Sequence, residues 1–191
     1  MQEQTDTTTQ IMDAAQQMMQ LRGYNAFSYA DISRQVGVTK AAIHYYFPGK
    51  SDLGREVVSR YRTTFSNQLA RINERAVEPR HKLEMYVQLY ASVLRDNEQM
   101  CLCGMLAADF LTLPDEVRAE VQGFFADNEA WLANVLVEGS RSESWKVAGS
   151  VQTAAQLLLS GLEGAMLVAR TFGDVARFEA VAQQLLDALL V

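Results

Sequence analysis

The sequence has 191 residues, a formal net charge of −6, 49% hydrophobic residues and 21% charged residues. That length and apolar content support a packed core in one or two domains and exclude a chain disordered throughout. Two cysteines cannot build a secreted disulfide framework, no run reaches about 18 uninterrupted apolar residues, and the polar start Gln2–Gln10 is no signal peptide, so the expectation is a cytoplasmic protein with no membrane partner.

Three prolines and the absence of period-two alternation point to an all-α chain. The first helix is expected over Thr8–Arg22, with Ile11, Ala14, Ala15, Met18 and Met19 on one face and Gly23 as its stop. Ser28-Tyr29-Ala30-Asp31 is a Ser-x-x-Asp N-terminal box for a short helix through Val36. Gly37 permits a sharp turn, because glycine takes positive φ without steric cost. Thr39 then caps a second short helix through Tyr45, Pro48-Gly49 ends it, and Lys50-Ser51-Asp52 opens a fourth.

Two short helices joined by a glycine turn make a helix-turn-helix. Its second helix would expose Thr39, Lys40, His44 and Tyr45 and turn Val38, Ala42 and Ile43 inward, as a helix presented to a major groove requires. Spacing alone equally allows a helical corner with no DNA role. Charge adds a weak hint of a basic front end. Residues 1–62 sum to +1 and residues 63–191 to −7, and within residues 28–62 the sum is +3.

Taken in order, the amphipathic helix, Gly23-Tyr24, Ser28-Tyr29-Ala30-Asp31-Ile32, Val36-Gly37-Val38-Thr39-Lys40 and Tyr46-Phe47-Pro48-Gly49-Lys50-Ser51-Asp52-Leu53 resemble the N-terminal domain of TetR/AcrR-type transcriptional regulators over residues 8–57. The resemblance implies a three-helix DNA-binding head followed by an all-helical body that binds a small effector and dimerises. The head would be residues 1–54, with the motif at about 28–47, and the body residues 55–191. By position, Thr39, Lys40, His44, Tyr45 and Lys50 inherit the DNA contacts, and Tyr29 reaches the backbone near the start of the motif. Lys50 with the free amides opening the fourth helix would hold a phosphate. One departure is His44, where the family most often has tyrosine. Histidine still donates to a phosphate or base edge, but the family's base preference does not carry over.

Body helices are expected over residues 55–76, 80–97, 100–112, 115–138, 147–171 and 174–190, with Glu138–Ser144 as a loop. Leu157, Leu158, Gly161, Leu162, Ala165, Met166 and Ala169 form one broad apolar face. Phe178, Val181, Leu185, Leu186, Ala188 and Leu189 form another. Such faces fit either an intramolecular core or a four-helix bundle between protomers, and the resemblance favours a homodimer through the last two helices. Glu163 is expected at an edge or in an ion pair. A mainly apolar effector would be lined by Tyr86, Tyr90, Cys103, Phe110, Phe124 and Trp131, each of which also suits plain core packing.

No phosphate loop, nucleophile elbow or clustered His/Cys set is present in the sequence, so neither an enzyme, a cofactor nor a metal site is expected. Cys101 and Cys103 would point about 200° apart on a helix, a poor disulfide geometry. The expected activity is thus a dimeric DNA-binding repressor, released from a palindromic operator by the effector. The alternatives are a cysteine-based redox or electrophile sensor on the same scaffold, and a helical interaction module without DNA binding.

Overall fold

The computed structural model describes residues 6–96, 99–142, 145–147 and 149–190. Among these it is almost wholly helical: α1 (Thr7–Arg22), α2 (Tyr29–Val36), α3 (Lys40–Tyr46), α4 (Lys50–Arg75), α5 (Pro79–Arg95), α6 (Leu102–Ala108), a 3-10 turn (Phe110–Thr112), α7 (Asp115–Arg141), α8 (Val151–Thr171) and α9 (Val175–Leu189).

The chain divides into two compact units. One is Met1–Thr63 with Leu102–Gly123, and the other is Thr64–Cys101 with Phe124–Val191. In the first, α1 packs on α2 and α6, and α2 on α3. Ile11, Ala14, Ala15, Met18 and Met19 of α1 are buried together with Ile32, Ile43, Leu53, Val57, Leu102 and Leu106. Each side chain of leucine size contributes about 1.5–3 kcal/mol on such burial. In the second unit α5, α8 and α9 pack pairwise. Leu83, Leu158, Leu162, Met166, Phe178, Ala182 and Leu186 fill the spaces between them.

Three expected elements differ. The helix expected over residues 100–112 begins only at Leu102 and breaks at Asp109, whose Oδ2 accepts the Tyr24 backbone N–H at 3.0 Å. Cys101 therefore precedes the helix; it and Cys103 are buried and form no disulfide. Glu138–Arg141, expected as loop, extend α7, and Glu143 and Ser144 of that run lie outside the described residues. The helix expected from residue 147 starts at Val151, because Ser150 Oγ accepts the Thr153 N–H at 3.0 Å and caps it. Ala148 of that expected start, and Asn97 at the end of the expected helix 80–97, also lie outside the described residues. Among the described residues, α8 is the one helix long and apolar enough to cross a membrane by length and composition. In the fold one side of it packs on α5 and α9, and it carries a glutamate with an enclosed carboxylate.

Candidate nucleic-acid interface and ligand site

Local chemistry explains the helix-turn-helix. Asp31 Oδ2 accepts from the Ser28 N–H at 2.8 Å and from the Ser28 hydroxyl at 2.7 Å, closing the N-terminal box of α2. Those bonds hold the Asp31 carboxyl below its ordinary range. Gly37 ends α2 at φ 80°, ψ 20°, the left-handed conformation that glycine adopts most readily. Thr39 Oγ1 accepts the Ala42 N–H at 3.1 Å and starts α3. Ile43 is fully buried and Phe47 nearly so, and they anchor α3 to its unit. The opposite side, Thr39, Lys40, Ala41, His44 and Tyr45, is exposed, with Tyr45 at 82%.

Electrostatics narrows which groups are available to a partner. Arg34 pairs with Asp31 at 2.8 Å, Arg55 with Glu56 at 2.7 Å, Arg60 with Asp13 at 2.7 Å and Arg62 with Glu120 at 3.4 Å. Lys40 is exposed and makes no ion pair or hydrogen bond among the described residues. Surface pairs are worth at most about 1 kcal/mol, so a phosphate can compete for those arginines. His44 Nδ1 lies 3.1 Å from the Pro48 carbonyl, which can only accept, so that nitrogen carries a proton and Nε2 is left to another partner.

Two expected DNA contacts are occupied within the chain. Lys50 folds inward: its Nζ donates to the Phe27 carbonyl at 2.6 Å and sits over the Tyr24 and Phe27 rings at 4.7 and 4.2 Å. Burial lowers its pKa. The Gly49 N–H just ahead of α4 donates to Asp52 Oδ2 at 2.9 Å. Tyr29 is buried, donates its hydroxyl to the Phe47 carbonyl at 2.9 Å and meets the His44 ring edge-on at 4.8 Å. Burial, with the Asp52 charge, pushes its pKa to about 12. It braces α3 from below. Tyr29→Phe is therefore expected to cost about 1–2 kcal/mol by orphaning a buried carbonyl, read as a lower urea midpoint. An unchanged midpoint would deny Tyr29 that bracing role.

The expected effector residues separate. Tyr86, Tyr90, Phe124 and Trp131 come together in the second unit, joined by Phe65, which the sequence reading missed. Phe65 meets Tyr86, Tyr90 and Phe124 edge-on at 5.1–6.1 Å, and Trp131 stacks on Tyr86 at 5.3 Å and 20°. Cys103 and Phe110 belong to the first unit. Tyr86 donates to Asn128 Oδ1 at 2.9 Å, Asn128 Nδ2 donates to the Phe124 carbonyl at 2.8 Å, and the two tyrosine hydroxyls stand 3.3 Å apart. Burial raises both tyrosine pKa values well above normal.

Glu163 overturns its expectation. It forms no ion pair among the described residues, and both carboxylate oxygens are sealed from solvent without a hydrogen-bond partner. Desolvation raises its pKa to about 7, against the weaker pull of the nearby Cys101 thiol and Tyr90 hydroxyl toward the charged form.

Most of the apolar surface expected to pair protomers is used inside this one. Leu158, Leu162, Ala165, Met166, Ala169, Phe178, Leu186 and Leu189 are buried. Gly161 admits the Leu185 side chain, which would lie 2.7 Å from an added Cβ. A different stripe is left outside: Leu157, Gly164, Leu167 and Val168 on α8, Phe172 just past its end, and Val181 and Ala188 on α9.

A short helix held outward on a helix-turn-helix, in a chain that is almost wholly helical among its described residues, is the arrangement of a DNA-binding transcriptional regulator. Residues 11–57 match the bacterial regulatory proteins of the tetR family, and residues 79–184 match the C-terminal domain of LmrA/YxaF-like transcriptional regulators. The chain belongs to the TetR family of bacterial transcriptional regulators. It is 33% identical to a TetR-family regulator from Agrobacterium tumefaciens, whose structure superposes with a TM-score of 0.93 over 96% of this chain and 97% of that one. A TetR regulator from Legionella pneumophila is 30% identical, with a TM-score of 0.89 over 99% and 100% of the two chains. The uncharacterized HTH-type transcriptional regulator YxaF of Bacillus subtilis is 22% identical over 183 residues, covering 94% of this chain and 93% of its own.

Proposed function

We propose that the protein is a cytoplasmic dimeric repressor that holds a palindromic operator through two copies of α3 and releases it when a small, mainly apolar effector enters the second unit. In functional terms, residues 1–54 bind DNA and residues 55–191 bind effector and partner. The observation that carries this reading is the exposed side of α3: Thr39, Lys40, His44 and Tyr45 face outward over a buried Ile43 and Phe47. Lys40 contacts a phosphate or base edge, and Tyr45 supplies a hydroxyl and a ring. Lys50 serves by shaping the turn ahead of α4, where its ammonium ties Phe27 in place.

Protomers pair through the exposed α8–α9 stripe, which is apolar and interrupted by Gly164. Pairing joins two weak heads into one binder and sets their spacing to half-sites about 34–36 Å apart, or a multiple of that distance. Helix α4 supplies residues to both units within one continuous helix, Lys50–Arg75, and offers the covalent route by which effector binding alters that spacing.

The test is a gel shift on the DNA upstream of the protein's own gene at fixed salt. Lys40→Ala with Tyr45→Ala is expected to weaken binding at least tenfold and to flatten the salt dependence by about 0.9 per lysine removed. The urea midpoint should stay unchanged, because both side chains are exposed. Unaltered affinity and salt slope would put the DNA face elsewhere.

A further inference from the structure

The interior of the second unit contains polar atoms that its own packing does not satisfy. The two oxygens of Glu163 and the indole Nε1–H of Trp131 are enclosed and lack partners. Most buried polar groups in a folded protein are hydrogen-bonded, so such exceptions require a reason. Both sit on one connected cluster, since Trp131 stacks on Tyr86, Tyr86 meets Tyr90, and the Tyr90 hydroxyl lies near Glu163.

This cluster borders the surface. Trp131 lines a cleft of about 340 Å³, with Asn73, Asn134, Glu138 and Arg141 among the other lining residues. Its indole stacks on Tyr86. A rotation of Trp131 would uncover the Tyr86 ring and open the way toward Glu163.

Resting on the effector reading above, we propose that the ligand of this unit is a planar aromatic cation, which enters by the Trp131 cleft, stacks in the place of the indole on Tyr86 and pairs its positive charge with the carboxylate of Glu163. A buried carboxylate without a counterion disfavours an anion, and a neutral ring brings it no opposite charge. A cation supplies the missing partner, and the faces of Tyr86, Tyr90 and Trp131 add cation–π attraction in a desolvated site. The raised pKa of Glu163 agrees with a charge that lacks its counterion.

The test uses DNA-free full-length protein near pH 8, titrated with N-methylacridinium, a permanent cation, and with acridine, its neutral counterpart at that pH. The cation is expected to bind at least tenfold more tightly and to quench tryptophan emission. Glu163→Gln should lower its affinity at least tenfold while changing that of acridine less than twofold, with circular dichroism confirming the fold. Equal affinities for the two probes, or a cation affinity indifferent to Glu163→Gln, would overturn the proposal. Neither readout involves DNA. Unaltered operator affinity in the α3 variants would therefore sink the operator reading and leave this result intact.

Discussion

Gly164→Arg is expected to convert the proposed dimer to a folded monomer and to weaken operator binding at least a hundredfold. Gly164 lies on the exposed side of α8 between Leu157 and Val168, which are 51% and 50% exposed in the protomer. A Cβ added there meets nothing within 4 Å, so the protomer accepts a side chain. Within a helix, replacing glycine by arginine even favours the fold by about 0.5–1 kcal/mol. In a pair of crossing helices the same side chain would separate the backbones and bring an unpaired charge into an apolar seam. Losing the second head removes the effective-concentration gain, which is on the order of 10² to 10⁴. Sedimentation measures the first effect, a gel shift the second and circular dichroism the fold. A variant that stays dimeric would move the interface away from this stripe.

Glu163→Gln is expected to stabilise the protein in alkaline solution and to do little in acid. The Glu163 carboxyl titrates at about 7 when folded and near 4.5 when unfolded. Between those values the folded state holds more protons than the unfolded state, so its stability falls as pH rises. The full penalty is present above the folded value and amounts to about 3 kcal/mol. Glutamine has no proton to lose. The difference in unfolding free energy between variant and parent should therefore grow by about 3 kcal/mol from pH 4 to pH 9, and the other titrating groups cancel in that difference. Urea unfolding at fixed protein concentration gives the number, and a difference that does not change with pH would contradict an isolated buried carboxylate.

These two neighbouring positions show how α8 divides its work. Glu163 turns its carboxylate into the protomer, whereas Gly164 faces outward. Leu157, Leu158, Gly161, Leu162, Ala165, Met166 and Ala169 read as one broad apolar face, and periodicity cannot say which leucine meets α9 and which meets solvent. Leu158 and Leu162 are covered by α5 and α9, while Leu157 and Val168 are not, a distinction created by packing partners distant in sequence.

The head was more legible because its signals are local. The Ser28–Asp31 box, the left-handed Gly37 and the Thr39 cap act within three or four residues and through steric limits that every chain obeys. The Lys50 bond to the Phe27 carbonyl left no such local signal, because its partner is 23 positions away. Asp109 breaks the sixth helix for a similar reason, since it is held by a backbone amide 85 residues earlier.

Sequence by itself determined the all-helical class, the helix-turn-helix and the outward residues of α3, because hydrogen-bond geometry and apolar periodicity over a few turns suffice for these. Only the tertiary structure decided that Lys50 and Tyr29 face inward, that Phe65 joins the aromatic cluster and that Glu163 is sealed without a partner. Burial and pairing belong to contacts between distant segments, and a residue's own neighbours in the chain do not specify them.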